Sequence, residues 1–179
     1  AFIHGDRTIT WGETSRRSNN LARAILAQGA KPGDKVAFYM RNRPEYGEAL
    51  AACFKGRLTH VNVNYRYKPD EVFYIFDDSD AQTVIYGSEF RDTILELKGR
   101  LSKVATFIEI DEDGARAPFA ESYDRLATAG DGAPRVLARQ RAEPPTAAPE
   151  VPDEHRRTRP RCWRTTTRAR TCTLSQATA

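Results

Sequence analysis

The sequence contains few cysteines, and their positions exclude two kinds of cross-linked fold. Only three occur among 179 residues, at Cys53, Cys162 and Cys172. They provide neither the set of pairs that a disulfide framework needs nor the closely spaced pairs of a structural zinc site. The chain also has no signal-peptide pattern and no run of about 18 apolar residues, the length that predicts a membrane-spanning helix. These absences favour a reducing, cytoplasmic setting.

Residues 135–179, called the tail below, lack five residue types that the rest of the chain uses freely. No Phe, Tyr, Ile, Lys or Gly occurs in the tail, and Trp163 is its one aromatic residue. The tail carries 10 basic and 4 acidic residues, whereas residues 1–134 carry 18 and 20. Because such a composition buries too little apolar surface to offset the entropy lost on ordering, we expect the tail to be disordered. The folded portion is expected over residues 1–134.

Strand-like and helix-like segments alternate within residues 1–134. Pro69 marks one helix start clearly, because Asp70 and Glu71 follow it at the end of the helix where the dipole favours carboxylates. The patterns predict a hairpin over residues 1–9, strands over Lys35–Met40, Leu58–Val63, Thr83–Gly87 and Thr106–Ile110, and helices that begin near Thr10, Pro44, Pro69, Phe90 and Phe119. This alternation predicts the α/β class, as the N-terminal part of a doubly wound, mostly parallel sheet layer.

Two acidic clusters have some of the spacing of a cation site. Glu109, Asp111 and Asp113 alternate as in a calcium loop, but Ala120 stands at the twelfth position, where a bidentate Glu is required. Residues 77–80 contain three aspartates with no further ligand placed beside them. We therefore interpret both clusters as acidic surface turns and assign no metal ligand.

Polar residues at one predicted strand leave two interpretations open. His60 has no Ser, Cys or carboxylate placed by the sequence as its partner, so a structural role is favoured over that of a general base. Four polar residues follow the same strand at its carboxyl end: Asn62, Asn64, Arg66 and Tyr67. They line a ligand cleft, as at the edge of many open α/β sheets, or they form a well-anchored turn. The turn is favoured because Asn and Tyr side chains satisfy such a connection without a ligand.

The run of residues 62–81 carries a family resemblance. It contains Asn-Tyr-Arg-Tyr, then Pro-Asp-Glu, then Asp-Asp-Ser-Asp-Ala. Together with the flanking sequence, from the start of the chain to about Pro134, it resembles the N-terminal region of AMP-forming acyl-CoA synthetases of the adenylate-forming ligase superfamily. The fatty-acid branch fits best. On this resemblance we expect the chain to be an N-terminal fragment.

The resemblance implies an activity that this stretch alone does not complete. Family members use ATP and Mg²⁺ to convert a small-molecule carboxylic acid to an acyl adenylate, then transfer the acyl group to coenzyme A. Their phosphate-stabilising groups come from a Ser/Thr/Gly-rich loop ending in Pro-Lys-Gly, from later acidic and aromatic motifs and from a lysine of the C-terminal domain. None of these has a matching position here. The glycine turns at residues 29–34 and 130–134 also lack the order of a phosphate loop. No catalytic, cofactor-binding or metal residue is assigned, and the fragment is expected to be inactive alone and to bind none of these cofactors well.

The arginines of the tail support an alternative function. Seven of them lie between residues 156 and 170 and could bind phosphate backbones, with Trp163 stacking on a base. The chain would then be a non-catalytic module whose basic tail contacts nucleic acid or acidic partners. We favour nucleic acid less, because Arg, Ala, Pro and Thr without Lys, Ile or Gly is also what a GC-rich gene yields in the wrong frame.

We predict a frameshift between the codons for Gly132 and Arg139, because the family resemblance ends where the glycine and aromatic content ends. Sequencing the gene through this region and translating all three frames is the test. A neighbouring frame should encode a Thr/Gly-rich loop that ends in Pro-Lys-Gly. An uninterrupted frame that encodes the same tail in independent isolates would refute the prediction.

Overall fold

The computed structural model describes residues 2–112 and 114–133, so the expectation of a disordered tail lies outside the described residues. No helix in these two ranges is both long and apolar enough to cross a bilayer. The elements follow one another in this order: β1 (Phe2–His4), β2 (Arg7–Ile9), α1 (Trp11–Ala27), β3 (Lys35–Tyr39), α2 (Pro44–Gly56), β4 (Thr59–Asn62), α3 (Pro69–Asp78), β5 (Ala81–Gly87), a 3₁₀ turn (Ser88–Phe90), α4 (Arg91–Leu97), β6 (Thr106–Ile110), β7 (Glu121–Ser122) and α5 (Tyr123–Thr128).

Five strands form one sheet in the order β4-β3-β5-β6-β7, beside a separate β1-β2 hairpin. All four neighbouring pairs of the larger sheet are parallel. The chain enters this sheet at β3 and next forms β4 at one edge. It then returns past β3 and adds β5, β6 and β7 on the other side. The winding direction therefore reverses between β3 and β5, which confirms the predicted doubly wound α/β layer.

Two apolar cores cover the two faces of this sheet. Along β3, Val36 and Phe38 belong to the core that α1, α2 and α5 complete, whereas Ala37 and Tyr39 belong to the core beneath α3 and α4. Successive strand residues point to opposite faces, so a strand that is covered on both sides needs apolar residues at every position. This is why β3 contains the apolar run 36–39 and β5 contains the apolar run 84–86.

Local capping explains where two of the helices begin. The Thr10 hydroxyl accepts a hydrogen bond of 3.1 Å from the backbone N–H of Glu13, as the capping pattern predicts. Pro69 is the first residue of α3, and the carboxylate of Glu71 accepts a 2.8 Å bond from the N–H of Lys68. Both starts were therefore encoded by residues within a single turn.

Three predicted elements differ from the structure. The β-branched residues Thr59, Val61 and Val63 predict a buried strand over residues 58–63. In the structure this strand is β4, which lies at the edge of the sheet and has exposed ends. The spacing of Phe90, Ile94, Leu97 and Leu101 predicts one helix that reaches Leu101. In the structure α4 ends at Leu97, although Leu101 is still buried in the same core from the turn that follows. The helix predicted from Phe119 begins at Tyr123, because the preceding residues form the short strand β7.

The helical spacing of Tyr46, Leu50, Cys53, Phe54 and Arg57 predicts that these residues share one face of α2, and the buried face in the structure is rotated from it. Cys53 is buried as expected, but Phe54 is 72% exposed. Glu45 and Glu48 lie on the buried face instead, where arginine side chains neutralise them. Helical periodicity missed this arrangement because it counts apolar residues only.

Two leucines of α4 test whether the core beneath α3 and α4 stabilises the fold. Leu97 is fully buried and Leu95 is 47% exposed. We predict that Leu97→Ala lowers the free energy of unfolding by about 2–5 kcal/mol, because it leaves a cavity. The matched variant Leu95→Ala should change it by less than about 0.5 kcal/mol. Urea denaturation followed by circular dichroism measures both, and equal losses would contradict the described burial.

Candidate functional site

The ends of β3 and β5 mark the point where the sheet reverses its winding. The loop after β3 leads to α2 on one face of the sheet, and the loop after β5 leads to α4 on the other face. Two loops that separate in this way leave a crevice between them, and open α/β sheets bind ligands there. The loops after β3, β4, β5 and β6, called the C-terminal edge below, are therefore the candidate site.

Two guanidinium groups of the C-terminal edge stand over one aromatic ring. The Cζ atom of Arg41 lies 5.7 Å from the ring centre of Tyr65, and that of Arg66 lies 5.5 Å from it. The Arg41 side chain is 69% exposed, and its ion pair with Glu89 spans 3.9 Å. Exposed, weakly paired arginines beside an aromatic face suit an anionic ligand that can also stack.

The turn after β4 is anchored by its own residues, as the sequence favoured. The side-chain oxygen of Asn64 accepts a 3.0 Å bond from the N–H of Arg66, and its backbone oxygen accepts one of 3.1 Å from the N–H of Tyr67. The Tyr39 hydroxyl donates to the Tyr67 carbonyl at 3.4 Å. Asn62 is exposed at the end of β4. Arg66 is the charged residue among the four polar residues, and its exposed guanidinium is the group best placed to contact a ligand.

Two residues of potentially reactive types are packed as structural groups. The His60 ring centre lies 5.4 Å from that of Phe38, and its Nε2 atom is 3.4 Å from the Tyr46 hydroxyl. Burial raises the pKa of the Cys53 thiol to about 12. A thiol with such a pKa stays protonated at neutral pH and is a poor nucleophile. The structural interpretation of His60 agrees with its contacts.

Glu109 departs most from the sequence interpretation, which placed it in an acidic surface turn. Its side chain is fully buried on β6. The carboxylate accepts hydrogen bonds from the Tyr86 hydroxyl at 2.8 Å, from Arg91 Nε at 2.7 Å and from the N–H of Ala117 at 2.9 Å. Burial, reinforced by this carboxylate, raises the pKa of Tyr86. Glu109 thereby joins β5, β6, α4 and the loop before β7.

A second buried ion pair lies between α1 and α2. Arg17 Nε donates to both carboxylate oxygens of Glu48, at 2.9 and 3.0 Å, and its Nη1 donates to Asp124 at 2.8 Å. The Tyr123 hydroxyl also donates to Glu48 at 3.2 Å. Desolvation alone would lower the pKa of Arg17, but the two carboxylates outweigh it and raise that pKa. These groups satisfy one another and hold α5 against the helix pair.

A polar cavity of about 340 Å³ adjoins this ion pair. Its charged groups are paired with one another: Arg43 donates to Glu45 at 3.0 Å and also to Glu112, and Arg7 lies 3.4 Å from Glu45. The cavity therefore offers an anion less unpaired positive charge than Arg41 and Arg66 do. Its remaining charged lining residues are Arg17, Asp111 and Asp124.

The described residues do not fit the phosphate or metal groups that the family resemblance implies. No cluster of three His, Cys, Asp or Glu side chains suited to a metal ion occurs within residues 2–112 and 114–133. The backbone of Gly132 is engaged by α1, through its N–H to Asn20 at 3.0 Å and its carbonyl to Asn19 at 2.6 Å. The N–H of Gly33 donates to the Arg57 carbonyl. Neither glycine turn presents these amides to a ligand.

Comparison with known proteins decides the family. The family model of the AMP-binding enzymes matches residues 1–155. The chain belongs to this family. Its described part is thus a portion of an AMP-binding domain, and the parallel sheet is the family's own architecture.

Similar AMP-binding enzymes include acid–CoA ligases. The chain is 39% identical over 120 residues to 3-oxocholest-4-en-26-oate–CoA ligase of Rhodococcus rhodochrous, which covers 67% of this chain and 21% of that enzyme. It is 31% identical over 131 residues to a medium/long-chain-fatty-acid–CoA/3-oxocholest-4-en-26-oate–CoA ligase of Mycobacterium marinum. This match covers 71% of this chain and 24% of that enzyme. The fold matches acetoacetyl-CoA synthetase from Streptomyces lividans with a TM-score of 0.67 and 26% identity, over 72% of this chain and 21% of that one. The chain spans about a fifth to a quarter of the length of these relatives.

The charge of Glu45 predicts how the stability of this AMP-binding portion depends on pH. Burial would raise the pKa of Glu45, but a backbone N–H and the guanidinium groups of Arg43 and Arg7 outweigh it and hold that pKa below its usual value. A lowered pKa in the folded state favours folding above the unfolded-state pKa of about 4.3, and this contribution is lost as the pH falls through the folded value.

We therefore predict that the free energy of unfolding falls less steeply between about pH 5 and pH 3 in Glu45→Gln than in the unmodified chain. Denaturant titrations at several pH values measure the slope. The control Glu96→Gln changes an exposed residue of α4 and should keep the original slope. Equal slopes in Glu45→Gln and the unmodified chain would contradict the assigned ion pairs.

Proposed function

We propose that the chain forms the N-terminal part of an acyl-CoA ligase. The observation that carries this proposal is its 39% identity over 120 residues to an acid–CoA ligase. The complete enzyme would activate a carboxylic acid with ATP and Mg²⁺ to an acyl adenylate and then transfer the acyl group to coenzyme A. Adenylation gives the carboxylate a good leaving group, which is why such enzymes use two steps.

The proposed substrate is an apolar carboxylic acid. The two relatives described above are named for a steroid acid and for medium- and long-chain fatty acids. A fatty or similarly apolar acid is consistent with both names. We propose that the complete enzyme acts in fatty acid metabolism in the cytoplasm. The described sheet is not expected to enclose such an acid, because its interior is already filled by side chains of the two cores.

The contribution of the described residues is a positively charged, aromatic surface at the C-terminal edge. The acid, ATP and coenzyme A are all anions, so exposed guanidinium groups attract them. Arg41 and Arg66 beside Tyr65 offer charge and a stacking face in one place. We propose that this surface helps to bind an anionic substrate, while the groups that act on the phosphates are supplied from outside the described residues.

The chain by itself is proposed to be inactive. Acyl adenylate formation needs fixed donors around the developing phosphate charge. The glycine turns of the described part use their backbone groups internally, and the cavity beside Arg43 and Glu45 has its charges paired. The alternative of a nucleic-acid-binding module concerns the tail, which lies outside the described residues, and no observation on residues 2–133 favours it.

A chimera tests the proposed function. Residues 1–133 of this chain replace the matching residues of the Rhodococcus rhodochrous ligase, and acid-dependent exchange of pyrophosphate into ATP is measured with steroid and fatty acids. We expect exchange from the chimera and none from the 179-residue chain alone. Arg41→Ala with Arg66→Ala in the chimera should weaken apparent substrate binding by about tenfold or less, as expected for exposed charges.

The control variant in this experiment is Arg100→Ala. Arg100 is an exposed arginine that pairs with Asp70 and lies outside the C-terminal edge. The Arg100→Ala substitution removes one exposed positive charge without touching the proposed surface, so substrate binding by this variant should match that of the parent chimera. Exchange by the chain alone would overturn the proposed inactivity. A chimera that is folded by circular dichroism yet inactive with every acid would count against the ligase assignment.

A further inference from the structure

A cavity of about 610 Å³ lies on the outer side of α1 and the end of α2. None of its lining residues belongs to the C-terminal edge, so the proposed ligand surface does not account for it. The lining is polar and includes two basic side chains. Its residues are Gly12, Ser15, Arg16, Asn19, Lys55, Asp131 and Gly132.

Lys55 reaches this cavity with no carboxylate partner. Its Nζ atom donates to the Ser18 hydroxyl at 2.7 Å, to the Ser15 carbonyl at 3.0 Å and to the Ser15 hydroxyl at 3.2 Å. No ion pair to Lys55 occurs in the part of the chain that the structure describes. These acceptors are hydroxyl and carbonyl oxygens without charge, so no carboxylate holds Lys55 in its charged form. Desolvation by burial also lowers the pKa of Lys55.

Arg16 provides a charge for an anion in the same cavity. Its guanidinium makes no hydrogen bond or ion pair with the residues that the structure describes. Asp131, the acidic residue of the lining, is occupied by Arg23 at 2.6 Å. Gly132 packs so closely on the stem of Arg16 that a Cβ atom there would lie 2.2 Å from Arg16 Cγ. The guanidinium is thus supported at its base and open to a phosphate at its tip.

We propose that Lys55 is a site of acylation by phosphate-bearing acyl thioesters, with Arg16 binding a phosphate of the donor. The proposal rests on the proposed function, because acyl-CoA is the product of that reaction. The neutral Nζ atom attacks the thioester carbonyl carbon, a C–N bond forms and the C–S bond breaks. The departing thiolate takes up the proton that the nitrogen loses, which leaves an amide and free coenzyme A. No oxidant or reductant is required.

Lys103 is the matched control within the same chain. Its Nζ atom lies 2.8 Å from Asp80 and 3.2 Å from Asp77, and its side chain is 43% exposed. Hydrogen bonds from Lys103 to these two carboxylates raise the pKa of Lys103. Exposure alone would favour reaction at Lys103. The environment of Lys55, which has neutral partners and faces a cavity, favours reaction there instead.

The first experiment incubates the 179-residue chain with acetyl-CoA at about pH 8, below the usual lysine pKa of about 10.4. Peptide mass spectrometry follows the acetylation of each lysine with time. Lys55 should be acetylated severalfold faster than Lys103, and Lys55→Arg should remove that signal without changing the rate at Lys103. A rate at Lys103 equal to or above that at Lys55 would overturn the proposal.

The second experiment separates phosphate binding from the reactivity of the amine. Arg16→Ala is treated with acetyl-CoA and, in parallel, with S-acetyl-N-acetylcysteamine, a thioester without phosphates. Labelling of Lys55 by acetyl-CoA should fall severalfold, and labelling by the phosphate-free reagent should not change. An equal effect with both reagents, or none with either, would refute the role of Arg16. Because the donor is supplied, this test can fail while the ligase reaction stands, and the chimera can fail while Lys55 still reacts.

Discussion

The carboxylate of Glu109 holds together the half of the C-terminal edge that the loops after β5 and β6 form. It receives hydrogen bonds from β5, from the first turn of α4 and from the loop before β7, through Tyr86, Arg91 and Ala117. A carboxylate that is fully buried is costly unless all its lone pairs find donors, and removing a partner from such a pair costs about 3–5 kcal/mol. The loops after β5 and β6, which form one side of the candidate site, are therefore fixed by one anion.

The fold has an apolar body and a charged edge. Both faces of the parallel sheet are covered by helices, so the body of the sheet is closed to ligands. Charged groups concentrate where the strands end, and most of them are paired within the fold. Arg41, whose ion pair with Glu89 spans 3.9 Å, and Arg66 are exposed and weakly paired beside Tyr65. An edge whose other charges are paired, and which leaves two weakly paired cations outward, is suited to attract an anion.

The sequence predicted the architecture better than it predicted the site. The starts of α1 and α3 could be predicted from the sequence because Thr10 and Pro69 define them within a single helical turn. The parallel layer could be predicted from the alternation of strands and helices. The exposure of Phe54 could not be predicted from the sequence, because α2 buries ion-paired glutamates on the face that packs against the fold. Glu109 did leave a signal. It lies two residues after the buried Phe107 on the same strand, so it faces the same side of the sheet.

Hydrogen exchange of Glu109→Gln, compared with the unmodified chain, tests most directly whether this carboxylate organises the edge. The substitution keeps the shape of the side chain and removes its charge. We predict that exchange quickens by at least tenfold at the N–H of Ala117 and at the first turn of α4, as expected from the loss of about 1.4 kcal/mol or more. The amides of β3 and β4 should keep their original protection. Unchanged exchange at Ala117, or an equal loss of protection throughout the sheet, would contradict the central role of Glu109.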